Sequence, residues 1–256
     1  MNDIEDKFEF ILIEDSDSDS DSEEFVNRDD TYSVVCIDIG VIHLGIVAFT
    51  INSETFEFEK IIGYDLVNIT TFPHPHGMKK ENCCLCHTKT FTDWMEHIFQ
   101  FYAPIFENCT KILIERQPPQ GFVVVEQLIF SKYRDKAELI HPNSVHKFLK
   151  INKYSYEERK EKVEDIIFKY LRNHLKEEFL SLERRHDIAD AFCLGLYWLY
   201  VKREEQKLKQ IEQKMEYLKI KYSPKPNPYE FEENMDFEEY LFQFNFHNIN
   251  ESSYKK

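Results

Sequence analysis

The sequence predicts one α/β domain, a mixed sheet flanked by helices with a long helix at its C-terminal end. Three patterns carry that expectation. Three strand-like runs follow one another with only short turns between 33 and 66. Short buried runs then alternate with helical periodicity from 91 to 142, and the stretch from about 156 to 221 is helical in spacing. A chain of 256 residues, 42% hydrophobic and 15% aromatic, is long enough to bury one sizeable core.

SVVCIDIG (33–40) is dense in β-branched residues and reads as a strand buried on both faces. VIHLGIVAFTI (41–51) is a second strand. TFEFEKIIGYDL (55–66) alternates with period two and is a third, so the three form a meander. FTDWMEHIFQFYAPIF (91–106) places Trp94, Ile98, Phe101 and Tyr102 on one helical face. KILIER (111–116) is a short buried strand ending in charge, VVVEQLIFSKYR (123–134) is helix-like, and AELIHP (137–142) is a last small strand. Two long helices, about 156–180 and 185–221, complete the order β-β-β-α-β-α-β-α-α. In the final helix Val201, Leu208, Ile211, Met215, Leu218 and Tyr222 fall on a heptad seam that Glu204 and Glu205 interrupt. That seam suits either a dimerising helix or a stripe lying on the body.

The net charge of −15 is unevenly placed. Residues 1–30 hold thirteen acids against two bases, and 223–256 hold seven against three. Between these acidic tails the body is neutral and its second half positive, so overall acidity does not exclude a nucleic-acid partner. The run DSDSDSDSEE (15–24) cannot bury apolar area and is expected to be disordered. Six glycines leave no room for several phosphate cradles. Apolar runs fall well short of a membrane span and the N-terminus is acidic, which points to an intracellular protein whose six cysteines are thiols or metal ligands. The expected organisation is an acidic tail (1–30), a body (31–200) with a Cys/His-containing insertion (67–90), a helical extension (201–222) and an acidic C-terminal tail (223–256).

Carboxylates end several of the buried elements. Asp38 sits inside the strand VVCIDIG, where a charge is costly unless it is paired or binds metal. Glu115 ends ILIE, and Asp187 and Asp190 lie three apart on one helical face of RRHDIADAF. Each alone has a plain structural explanation, as a turn, cap or surface ion-pair residue. Together, two strand acids beside a helical Asp-x-x-Asp offer the hard oxygen donors that Mg²⁺ or Mn²⁺ prefers, and two such ions suit in-line phosphoryl displacement.

These blocks carry a resemblance. CIDIGVIHLGIVAF (36–49), ILIERQPP (112–119), EQLIFSKYRDKAELIHPNSVHKF (126–148) and RRHDIADAFCLGLYW (184–198) resemble, in order, the RuvC-type Holliday junction resolvases of the ribonuclease H-like superfamily, in the branch of large nucleocytoplasmic DNA viruses and poxviruses. The likeness covers about 31–200. It implies a five-stranded ribonuclease H-like sheet and a homodimer nicking four-way DNA junctions in viral recombination or replication, in a virus factory, host cytoplasm or nucleus. It also implies two Mg²⁺ or Mn²⁺ ions per site, held by Asp38, Glu115, Asp187 and Asp190. His186 precedes the closing acids, whereas other members of the superfamily use a histidine elsewhere nearby. The same carboxylates would equally serve a flap or other branched-DNA nuclease, and a non-catalytic junction-binding module remains the alternative outside enzymology.

Arg116 and Gln117 follow the strand acid directly and are expected at the rim of the site as DNA contacts. Lys132, Arg134, Lys136 and Lys147 are further DNA-contact candidates in the more basic half, alongside Lys150 and Lys153, with solvated surface charge as the plain alternative. Cys83-x-x-Cys86 with His87 is compatible with a structural zinc ion. A second cysteine pair at fixed spacing is missing, so an exposed insertion is the competing reading.

Overall fold

The computed structural model describes residues 11–12, 31–70 and 90–222. Two compact units divide the chain, Met1–Gln206 and Lys207–Lys256. The strands are β1 (Ile11–Leu12), β2 (Thr31–Ile39), β3 (His43–Asn52), β4 (Phe58–Asn68), β5 (Lys111–Glu115) and β6 (Ala137–Ile140). The helices are α1 (Phe91–Asn108), α2 (Val123–Lys132), α3 (Pro142–Phe148), α4 (Tyr156–Phe168), α5 (Asn173–Ser181) and α6 (Arg185–Tyr222).

One sheet takes the order β1-β4-β3-β2-β5-β6. β2, β3 and β4 form the antiparallel meander, and β5 and β6 run parallel to β2. Apart from the two-residue β1 at the edge of β4, this is a five-stranded mixed sheet, as expected. β2 lies in the middle with both faces covered, which explains its unbroken apolar run.

Period-two geometry divides the side chains between two cores. Val35, Ile37 and Ile39 of β2 and Ile112 and Ile114 of β5 face α1 and α2. Val34 and Cys36 of β2, Val47 and Phe49 of β3 and Leu113 of β5 face α6, where Ile188, Ala191 and Phe192 pack. Asp38 and Glu115 continue the second set of positions, so both strand acids point to the face that α6 covers. Phe192 meets Phe49, Phe58 and Tyr170 at ring separations of 6.0, 5.7 and 5.1 Å. Each such pair contributes about 0.5–1.5 kcal/mol beyond area burial, which fixes α6 over the sheet.

Two glycines set how closely α6 approaches. A Cβ on Gly45 of β3 would lie 2.2 Å from the Asp187 carbonyl oxygen, and one on Gly195 of α6 would lie 2.5 Å from the Phe49 ring. Backbone therefore meets backbone where α6 begins.

Some expected boundaries move. The third strand begins at Phe58 rather than 55, because Asn52 Oδ1 accepts from the amides of Glu54 and Thr55 and Phe56 turns to a positive φ of 53°. The strand expected over 137–142 stops at Ile140; His141 caps α3 and Pro142 opens it. The helix expected over 156–180 is two helices, broken between Lys169 and Arg172 so that Leu171, Leu175 and Phe179 all reach the core. A capping box at Ser155 and Glu158 starts α4.

Among the described residues, no helix is long and apolar enough to cross a membrane. Cys83, Cys86 and His87, with the expected zinc ion, lie outside the described residues, as do the acidic tails apart from β1.

Candidate metal centre

Asp38 is the penultimate residue of β2 and Glu115 the last of β5; these strands are neighbours, in register with Ile37 opposite Ile114. Gly45 is the partner of Asp38 on β3, and its missing side chain admits the first turn of α6 with Asp187 and Asp190. The topology thus brings all four predicted acids to one end of the sheet.

Their electrostatics are those of like charges sharing a poorly solvated patch. Burial, reinforced by Glu115, Asp190 and Asp187, pushes the Asp38 carboxyl well above the usual range, and it shares a hydrogen bond with Glu115. Burial also raises Glu115, although hydrogen bonds from Gln117 and the Ile39 amide oppose the rise. Asp190 is pushed up to about 7, by burial first and then by Glu115 and Asp187, with Arg159 and Lys160 acting against it.

Asp187 behaves differently. Burial raises it, but His186 and Arg184 overcome that and hold the carboxyl below its ordinary value. Arg184 Nε donates to Oδ2 at 2.8 Å and Nη2 to Oδ1 at 3.3 Å, while His186 Nε2 lies 3.0 Å from Oδ1, off the hydrogen-bond line. Both oxygens are thereby engaged. Sequence reasoning had not assigned Arg184 a role; its only signal was its place in the RRHD string that opens α6.

The donor set fits a hard divalent cation, being all carboxylate, substantially buried and mutually repelling. Among the described residues, no three His, Cys, Asp or Glu groups stand together closely enough to hold an ion as they are placed. Release of Asp187 from Arg184 would free its oxygens for an ion.

The basic candidates separate into two groups. Arg116 is exposed just after Glu115, its amide donating to Ile140 O at 2.8 Å, and Lys147 is exposed on α3, which begins where β6 ends. Arg116 sits at the acid end of the sheet, whereas α3 runs on to Phe148, whose ring stacks on Tyr200, ten residues past Asp190 on α6. Arg159 and Lys160 are near enough to act on Asp190.

Lys132, Arg134 and Lys136 belong to the opposite end of the sheet. The Lys136 carbonyl accepts from Ile112 of β5, three residues of parallel strand before Glu115, or about 10 Å. Its ammonium binds the carbonyls of Glu107 and Cys109 at 2.7 and 3.2 Å. Lys132 pairs with Glu96 at 3.8 Å, and Arg134 lies over the Phe130 ring. Gln117 is at the acid end, but its side chain is committed within the protein, Nε2 donating to Glu115 Oε2 at 2.7 Å and Oε1 accepting from the Phe122 amide at 3.3 Å.

The family described as Poxvirus A22 protein matches residues 82–203, a span holding Glu115, Asp187 and Asp190. No curated protein matches the chain. Among solved structures, the fowlpox virus resolvase in complex with substrate Holliday junction DNA is 15% identical, with 66% of this chain and 97% of that chain covered and a TM-score of 0.48. Thermus thermophilus RuvC is 15% identical over 66% of this chain and 95% of that chain, with a TM-score of 0.37.

Proposed function

We propose that this chain is a divalent-metal-dependent endonuclease that resolves four-way DNA (Holliday) junctions by paired phosphodiester nicks, acting as a homodimer. The observation that carries the reading is a coincidence. The stretch matching the poxvirus A22 family supplies three acids, and Asp38, outside that stretch, faces the same patch from the neighbouring strand.

Asp38, Glu115, Asp187 and Asp190 would hold Mg²⁺ or Mn²⁺, two ions per site, which when bound would activate water and stabilise the attacking and leaving oxygens. Arg116, Arg159 and Lys160 lie nearest the acids and would take the phosphates flanking the scissile bond, with Lys147 further along the DNA, giving affinity that falls with salt. Arg184 neutralises Asp187 until the site is loaded. Two copies would bring two sites to one junction. In the second unit Leu208, Ile211, Met215 and Tyr222 are exposed at heptad spacing, a stripe suited to pairing with its own copy.

The test compares synthetic four-way junctions, flaps and linear duplex in Mn²⁺. Paired symmetric nicks on junctions, lost in Asp38→Asn and Glu115→Gln while junction binding persists, support the reading. Preferential cutting of flaps would reassign the substrate, and wild-type cleavage in both variants would reject the metal site.

A further inference from the structure

Glu126 is a charged residue almost entirely removed from solvent, at 4% exposure on α2. A buried carboxylate is retained only where its oxygens are well used. Here Oε2 accepts the Gln117 backbone amide at 2.5 Å and Oε1 accepts Gln127 Nε2 at 2.8 Å. Glu126 thus reaches back from the helix to pin the turn that leaves β5.

That turn is held at two other points. The Phe122 amide donates to Gln117 Oε1 at 3.3 Å, and the Gly121 amide to Pro118 O at 2.7 Å. A Cβ on Gly121 would come within 2.7 Å of Gln117 Oε1, so the glycine leaves room for the folded-back amide. With its oxygen facing the Phe122 amide, the Gln117 side chain must present its NH₂ to Glu115 Oε2, 2.7 Å away. The Gln117 NH₂ thereby fixes one oxygen of Glu115, whose carboxylate also meets Asp38 and the Ile39 amide.

We propose that Gln117 is a positioning residue, locked by Glu126 and the Phe122 amide, that orients the Glu115 carboxylate for divalent-ion binding. This rests on the reading of Glu115 as a metal ligand. Partners that orient metal ligands typically contribute 10–100-fold in affinity or activity.

Mn²⁺ binding by calorimetry, Mn²⁺ dependence of junction cleavage, and melting temperature, all on the full chain, test the idea. Gln117→Met, similar in length and without a donor, is expected to weaken Mn²⁺ binding by about tenfold or more. Most of its cleavage rate should return at saturating Mn²⁺. Glu126→Leu should reproduce that loss, and Glu126→Gln, which can still accept from the Gln117 amide, should restore binding. A melting temperature that falls without a change in Mn²⁺ affinity would make the brace purely structural and overturn the proposal. Wild-type Mn²⁺ affinity in Gln117→Met, with binding lost in Glu115→Gln, overturns the positioning role alone. Wild-type affinity in Glu115→Gln overturns the metal-ligand reading and this proposal with it.

Discussion

Replacing Gly45 with alanine should separate the acids without touching any of them. The added Cβ would stand 2.2 Å from the Asp187 carbonyl oxygen and 2.9 Å from the Ile188 amide nitrogen, against an ordinary contact of 3.4 Å or more. Both are backbone atoms, so the first turn of α6 must recede by about 1 Å. Overpacking of this kind costs about 1–3 kcal/mol, which for a domain this size lowers the melting temperature by about 2–12 °C. The functional loss should be larger in proportion, because a 1 Å misplacement in a reacting assembly can cost about 100-fold in rate. Gly195→Ala is the control, since its Cβ meets the Phe49 ring and the Cys36 sulfur, side-chain atoms in the core below the site. Cleavage of a four-way junction in Mn²⁺, measured beside thermal melts, compares the two. Wild-type cleavage by Gly45→Ala, or equal activity loss in both variants at equal destabilisation, would refute the claim that this contact sets the acids' spacing.

Three further outcomes are expected. In EDTA, the raised carboxyls of Asp38 and Asp190 are easiest to accommodate when protonated; the favourable contribution of Asp190 is complete below about pH 4 and is lost as pH rises through about 7. The melting temperature should therefore fall between pH 5 and 7.5, less steeply in Asp190→Asn, and identical slopes would contradict the assignment. Asp187, held low by His186 and Arg184, acts with the opposite sign and only at lower pH. Arg184→Gln removes the half-exposed guanidinium that partners Asp187, a loss of about 1 kcal/mol in EDTA after allowance for solvent screening. That loss should shrink in saturating Mn²⁺, and an equal penalty in both conditions would mean that the ion does not replace the guanidinium. The double change Ile211→Glu and Met215→Glu in the exposed stripe should halve the sedimentation mass, and an unchanged dimer would place the interface elsewhere.

The acids were legible because each interrupts a pattern. Asp38 breaks an apolar run, Glu115 ends one, and Asp187 and Asp190 share a helical period; the strand order then needed only parallel pairing of β2 with β5 to join them. The position of Lys132 and Lys136 was not legible, because basic spacing does not reveal which end of a sheet a residue occupies. That depends on the pairing of β5 with β6, a non-local fact. Gln117 and Arg184 were unreadable for a related reason, as their roles are fixed by Glu126, nine residues away, and by the turn into α6. The break between α4 and α5 has no proline or glycine to announce it, and tertiary burial of Leu171 dictates it.

The crowding of Asp38, Glu115 and Asp190 beneath α6 has an evolutionary consequence. Natural proteins retain such strain only under selection for activity, so amide substitution here relieves repulsion and favours folding. A gene copy released from that selection would drift toward a dead but sturdier product, one that expresses and purifies at least as well as its ancestor. Yield and solubility among relatives of this chain therefore say nothing about catalytic competence, whereas the persistence of these three energetically unwelcome carboxylates does.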